Sequence, residues 1–202
     1  MKALKDVILE KLSVNNISFD NLSDELKSKY NLVYNPRTEK YDCDCDIRVE
    51  NDLIENGHFI CNFGVVIGNF DCNKSSELKF LRGAPEKVGG YFRCDCLRLE
   101  TLEGAPKEVG ESFWCDHCND LKSLKGAPIK VDGSFWCNHC KDLESLDGAP
   151  EKVGGTFYCS DCENLKSLNG APEKVGGHFK CSECPKLTNY TISTKIGGLF
   201  IK

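Results

Sequence analysis

The sequence predicts a mostly β chain wound as a solenoid of 21–22-residue coils, with a parallel sheet and a small helical and hairpin cap at its N-terminal end. Three observations lead to this. The tripeptide Gly-Ala-Pro recurs at Gly83, Gly104, Gly126, Gly148 and Gly170, in steps of 21, 22, 22 and 22 residues. Each copy belongs to a unit reading roughly L-x-x-L-x-G-A-P-x-x-V-G-G-x-F-x-C-x-x-C. Within the unit, Phe and the first Cys stand two apart, the spacing that puts both side chains on one face of a strand. One such unit buries too little on its own, whereas stacked units share a continuous core.

Residues 1–50 read as a helical N-terminal cap or interaction segment. Leu4, Val7, Ile8, Leu9 and Leu12 approximate a helical period, and Asn15-Asn16 ends the run. A second short helix is expected from Asp20 or Ser23, with Glu25 in its first turn and Tyr30 near its end. Asn35-Pro36-Arg37 marks a turn. From Tyr41 the pattern changes to short β runs: Ile47-Arg48-Val49, His58-Phe59-Ile60-Cys61 and Val65-Val66-Ile67, with Asn56-Gly57 as a hairpin turn. Residues 51–69 are therefore expected to form a β-hairpin-like segment capping the open end of the coils. The solenoid itself is expected over 70–202. Its strands begin at Phe70, Phe92, Phe113, Phe135, Phe157 and Phe179, and Ile196-Gly197-Gly198-Leu199-Phe200-Ile201 reads as a last, truncated strand. Gly-Gly ahead of the strand is expected to supply backbone angles closed to other residues. Pro fixes an extended return segment.

Hydrophobic content of 40% and charged content of 28% are ordinary for a globular protein. The net charge of −5 argues against non-specific nucleic-acid binding, which needs a local excess of Lys and Arg. No window approaches the roughly 18 apolar residues of a membrane span. Charges are scattered through the first apolar stretch, unlike a signal peptide, so a cytoplasmic chain with no membrane partner is expected. In that setting the 14 cysteines read as reduced thiols or metal ligands before a disulfide framework.

The strand-and-turn part F-x-C-x-x-C-x-x-L-x-x-L resembles the leucine-rich-repeat consensus L-x-L-x-x-N/C-x-(x)-L-x-x-L, with Cys118, Cys140, Cys162 and Cys184 in the Asn/Cys slot. The return half L-x-S-L-x-G-A-P-x-x-V is similar to the short, Pro-containing coils of bacterial effector leucine-rich repeats. It is closer still to Gly-Ala-Pro repeat proteins common in bacteriophage genomes. The resemblance covers roughly 70–202 and implies a right-handed, leucine-rich-repeat-like solenoid. It also implies a phage protein in the host-cell cytoplasm that binds and inhibits a host defence protein. Two departures stand beside it. Phe and Cys replace the usual Leu, and the return side has little helix-forming sequence. A flat or weakly curved β-solenoid is therefore open as well as a horseshoe.

The pairs Cys115/Cys118, Cys137/Cys140, Cys159/Cys162 and Cys181/Cys184 admit three readings. As structural thiols they would pack in the core, where small thiols fit well. As zinc ligands, two pairs from adjacent coils, Cys115, Cys118, Cys137 and Cys140, would close one tetrahedron. Coil spacing also suits disulfides. Ser75 takes the second slot in the Cys72 coil and would break a metal column. Structural thiols and no cofactor are thus the primary expectation, with zinc the alternative. His117 and His139 sit one place off the inward cysteines and are expected at the surface. No Ser-His-Asp set, phosphate loop or paired-carboxylate motif stands at a recognisable spacing, so an enzyme is not expected.

The outward residue between Phe and Cys reads, coil by coil, Asp71, Arg93, Trp114, Trp136, Tyr158 and Lys180. Both tryptophans of the chain lie in this column. Flanking columns hold Tyr91, Ser112, Ser134, Thr156 and His178 on one side, and Asp95, Asp116, Asn138, Ser160 and Ser182 on the other. Exposed Trp, Tyr and Arg are the residues enriched at interface hot spots. The expected site is a protein-binding face made of Trp114, Trp136 and Tyr158, with Arg93, Lys180, Tyr91 and His178 around it. RNA binding on the same ladder by base stacking is the alternative.

Overall fold

The structure, a computed structural model, describes residues 22–96 and 98–202. The expected helix around Leu4–Leu12 lies outside the described residues. The short second helix is present as Asp24–Lys29, with the Ser23 hydroxyl accepting the Leu26 N–H and Tyr30 closing the end.

The chain is a β-solenoid of about seven turns. Each repeating coil gives one two-residue strand to each of two sheets. One sheet is built from the valine strands, Lys87–Val88, Glu108–Val109, Lys130–Val131, Lys152–Val153 and Lys174–Val175, and ends at Lys195–Ile196. The other is built from the phenylalanine strands Phe70–Asp71, Phe92–Arg93, Phe113–Trp114, Phe135–Trp136, Phe157–Tyr158 and Phe179–Lys180, and ends at Phe200–Ile201. Pairing along both columns of repeats is parallel and in register, so equivalent residues sit directly over one another. The second strand has a simple origin. The K-V half of the return segment pairs with its own copies instead of winding into helix, and the solenoid therefore has two parallel sheets.

The core follows from that register. Phe92, Phe113, Phe135 and Phe157 are buried, and their rings stack nearly parallel at centroid distances of 5.3, 5.1 and 5.3 Å. Strand spacing in a sheet, about 4.8 Å, dictates that separation. The two leucines of each unit, such as Leu121 and Leu124, and the valine of each valine strand fill the rest of the cross-section.

The glycines divide differently from the expectation. The left-handed backbone belongs to Gly of Gly-Ala-Pro, where φ is +95° at Gly83 and +87° at Gly148. The Gly-Gly pairs serve close approach instead: a Cβ on Gly154 would meet the carbonyl oxygen of Asp132, and one on Gly176 that of Gly154. Coils stack there backbone on backbone.

The coils also begin earlier than Phe70. Tyr41 pairs with Phe63, and Ile47 with Phe70, both in parallel. Strands Lys40–Cys43 and Ile47–Arg48 are thus the valine and phenylalanine strands of a first coil. Ile47 and Val49 fill the Phe and first-Cys slots and are buried. The hairpin turn at Asn56-Gly57 is real, joining Ile54–Glu55 to His58–Phe59, with φ of 52° and 83°. It lies within the return half of that first coil. Before it, Val33–Asn35 adds an antiparallel strand that covers the end of the valine sheet.

Candidate functional site

The outward face of the phenylalanine sheet carries three adjacent columns. The two flanking columns fasten coil to coil. Oδ1 of Asp95 accepts the Asp116 N–H, Oδ1 of Asp116 the Asn138 N–H, Oδ1 of Asn138 the Ser160 N–H, and Oγ of Ser160 the Ser182 N–H. On the other side the Ser112 hydroxyl accepts the Ser134 N–H, the Ser134 hydroxyl the Thr156 N–H, and Thr156 the His178 N–H. Nδ1 of His178 then accepts the Leu199 N–H at 3.0 Å. Backbone amides at strand ends would otherwise lack partners, and these short polar side chains supply them. Burial pushes the carboxyls of Asp95 and Asp116 above the ordinary range, with the Arg93 contact opposing the shift at Asp95.

The middle column is different. Trp114, Trp136, Tyr158 and Lys180 are half-buried, and their side chains meet aromatic rings. Trp136 and Tyr158 stack at 3.6 Å between centroids, and Lys180 Nζ lies 5.2 Å over the Tyr158 ring. Tyr91 meets Trp114 edge-on at 5.2 Å. Nε1 of Trp136 is buried and has no hydrogen-bond partner among the described residues, although a buried indole N–H usually finds one. Arg93 is held by its neighbour: Nε donates to Asp95 Oδ2 at 2.6 Å. Asp71, at the start of the column, is buried and accepts the Asn73 N–H.

The structure thus brings Tyr91, Arg93, Trp114, Trp136, Tyr158 and Lys180 into one strip. His178 stands beside it but is engaged by Leu199. The staple columns were in plain view as Asp/Asn/Ser and Ser/Thr runs. Their role appears only once the in-register stacking of coils is known.

The cysteines form two buried columns. In the first slot, Sγ of Cys94, Cys115 and Cys137 donates to the carbonyl of Trp114, Trp136 and Tyr158 in the following coil, at 3.3, 3.3 and 3.2 Å. In the second slot, Cys118, Cys140 and Cys162 donate to the carbonyls of Cys94, Cys115 and Cys137 in the coil before. Burial pushes the thiols of Cys94, Cys115, Cys137 and Cys159 well up, and that of Cys118 up to about 12, so they keep the proton that these bonds use. Cys115, Cys118, Cys137 and Cys140 therefore point to backbone carbonyls. They are not gathered on one point.

Ahead of Cys118, Cys140, Cys162 and Cys184 the chain passes through a left-handed residue: His117, His139, Asp161 and Glu183, with φ of 54° to 59°. That turn aims the cysteine inward and the preceding side chain outward. His117 and His139 accordingly stack at the surface, 4.6 Å apart, and His139 Nε2 lies 3.9 Å from Asp161 Oδ2. A groove of about 610 Å³ beside them is lined by Lys141, Glu163, Glu183 and Tyr190.

Among the described residues, the one gathering of three metal-ligating side chains is Cys43, Asp44 and Cys45. The reading of C-x-x-C pairs passed over it. Its signal in the sequence is the alternating run Asp42-Cys43-Asp44-Cys45-Asp46. Among the described residues no helix is long and apolar enough to cross a membrane.

Compared with known proteins, the chain matches no family model, no curated protein and no solved structure.

Proposed function

We propose that this protein is a non-enzymatic binding module whose partner is another protein, engaged through the strip Trp114, Trp136 and Tyr158 with Lys180 and Arg93 at its ends. The observation that carries the reading is the division of labour on one sheet face. Both flanking columns are consumed by inter-coil hydrogen bonds, while among the described residues the aromatic column between them makes no such bond with its side chains. Large aromatics held on a rigid sheet lose little entropy when a partner covers them.

RNA binding on the same strip is the weaker reading. Arg93 is tied to Asp95, and Asp95 and Asp116 run alongside, which is poor company for phosphates. The likeness to phage Gly-Ala-Pro repeat proteins extends the proposal: the partner is a host-cell defence protein that the chain inhibits in the host cytoplasm.

The test uses the two tryptophans, both of which lie in the strip. Tagged wild-type protein and a Trp114→Ala plus Trp136→Ala variant are used as bait against bacterial host extracts, and captured proteins are re-titrated in purified form. The proposal expects a partner whose titration shifts the tryptophan emission and whose affinity falls at least about 100-fold in the variant. Equal affinity of wild type and variant would remove the strip from the interface. RNA as the captured species, with steep salt dependence, would favour the other reading.

A further inference from the structure

We propose that Cys43, Asp44 and Cys45 form a site for a thiophilic divalent metal ion, Zn²⁺ being the natural candidate for a donor set of two sulphurs and a carboxylate oxygen. One ligand atom from each of the three residues lies within 4.8 Å of the other two. The two sulphurs are 2.7 Å apart.

The argument begins with what the first coil uses its side chains for. In the run Asp42-Cys43-Asp44-Cys45-Asp46 the outer two aspartates are staples. Oδ1 of Asp42 accepts the Val65 N–H at 2.7 Å and its Oδ2 the Asn35 amide at 2.9 Å. Oδ1 of Asp46 accepts the Asn69 N–H at 2.8 Å. Asp44 between them is exposed and, among the described residues, takes its hydrogen bond from a side-chain amide, Asn31 Nδ2, at 3.1 Å. Its carboxylate fastens no coil.

The thiols depart from the repeat in the same way. Those of the repeating coils donate across to the next or preceding coil. Cys43 reaches carbonyls only at longer range, that of Tyr30 at 3.7 Å and that of Cys45 at 3.5 Å, and its shortest contact is with the Cys45 sulphur. N–H donors face both sulphurs: the Cys45 backbone N–H lies 3.3 Å from Cys43 Sγ, and Asn31 Nδ2 lies 3.8 Å from Cys45 Sγ. Metal-bound thiolates take partners of this kind.

Access is present. A cavity of about 370 Å³, lined by Cys43, Asp44, Asn31, Val33, Val65 and Ile67, opens beside the group. Three protein ligands and an open side give room for water as fourth ligand. Zn–S bonds of about 2.3 Å at a tetrahedral angle place sulphurs about 3.7 Å apart, so binding must part the pair by about 1 Å. Cys45, the less buried of the two, is the one that turns.

The test is titration of the reduced, metal-free full chain with Co²⁺, followed by Zn²⁺. The expected result is one Co²⁺ per chain, with a sulphur-to-cobalt charge-transfer band and the intense visible bands of tetrahedral cobalt, both abolished by Zn²⁺. The bands should vanish in the Cys43→Ser plus Cys45→Ser variant. Because Cys43 is buried, two surface variants back this up. Cys45→Ser alone should remove most of the charge-transfer band. Asp44→Asn should weaken binding about 10- to 100-fold, with an unchanged circular dichroism spectrum. No cobalt–thiolate band in the reduced wild type would overturn the proposal. So would a band that survives in the double variant, since the ion would then sit among the core thiols.

Discussion

The repeating coils and the first coil solve the same stacking problem with the same devices, until the cysteines. Both use Asp side chains to hold the amides of the next coil: Asp116 does so for Asn138, and Asp42 for Val65. Both fill the phenylalanine slot with a buried apolar residue, Phe135 or Ile47. But Cys140 donates to a carbonyl in the coil before it, while Cys43 and Cys45 face each other beside a spare carboxylate. Repetition makes each side chain's structural job visible. A residue that departs from its column, or a column with no job, is then the place to look for chemistry. By that criterion the aromatic strip and the Cys43/Asp44/Cys45 group stand out, and the two thiol columns do not.

The most damaging way to break the repeating side of this comparison is at its centre. Phe135 is fully buried and stacked on Phe113 and Phe157. Phe135→Ala should cost about 3–5 kcal/mol, from lost burial and the cavity left behind. Because stability in a solenoid sums over neighbouring coils, the loss should also split the urea transition. Phe200→Ala, at a half-buried end position, should cost far less. Similar midpoints for the two variants would mean that the coils do not share a continuous core.

The thiols sharpen the comparison directly. Cys140→Ala removes the donor to the Cys115 carbonyl inside the core and should cost about 1–3 kcal/mol. Cys45→Ala, in reduced metal-free protein, should cost less than about 1 kcal/mol, because no inter-coil bond goes with it. Both are read from chemical denaturation. Equal losses would erase the distinction between structural and spare thiols.

Most of the repeat was legible in the sequence because its slots recur with identical residues. Phe92, Cys94, Leu99 and Leu102 can be placed by counting alone. The first coil was not legible as a coil, since Ile47 and Val49 stand for Phe and Cys and no Gly-Ala-Pro follows. Its β runs and the Asn56-Gly57 turn carry no mark of the repeat, and so read as a separate cap. The second sheet was hidden because a two-residue strand such as Lys130–Val131 has no periodicity of its own. It exists through pairing with its copies. The strip Trp114, Trp136 and Tyr158 was visible from strand alternation. The tie between Arg93 and Asp95 was not, because two charges on one strand give no hint of whether they meet. The staple role of Asp116 and Ser134 required the register of neighbouring coils.

The smallest effect expected tests those staples. Burial raises the Asp116 carboxyl above its usual value of 3.8, while the Asn138 N–H, its hydrogen-bond donor, pulls the other way. Asp95 nearby adds to the rise, and His117 and His139 oppose it. A raised folded-state value means the proton is held more tightly in the folded chain than in the unfolded one. Stability from this group is therefore fully present below the usual carboxylate value and is lost as pH rises through the raised one. Asn138, one coil on, shows that an amide oxygen does the same stapling with no charge to bury. Asp116→Asn should thus match the wild type below about pH 3.8 and exceed it above the raised value, by about 0.5 kcal/mol at neutral pH. The measurement is the difference in urea midpoint between the two proteins across that range, which cancels the acid response of groups that do not interact with Asp116. A variant less stable than the wild type at neutral pH would show that the carboxylate gains more from its charge-assisted bond to the Asn138 amide than burial takes away.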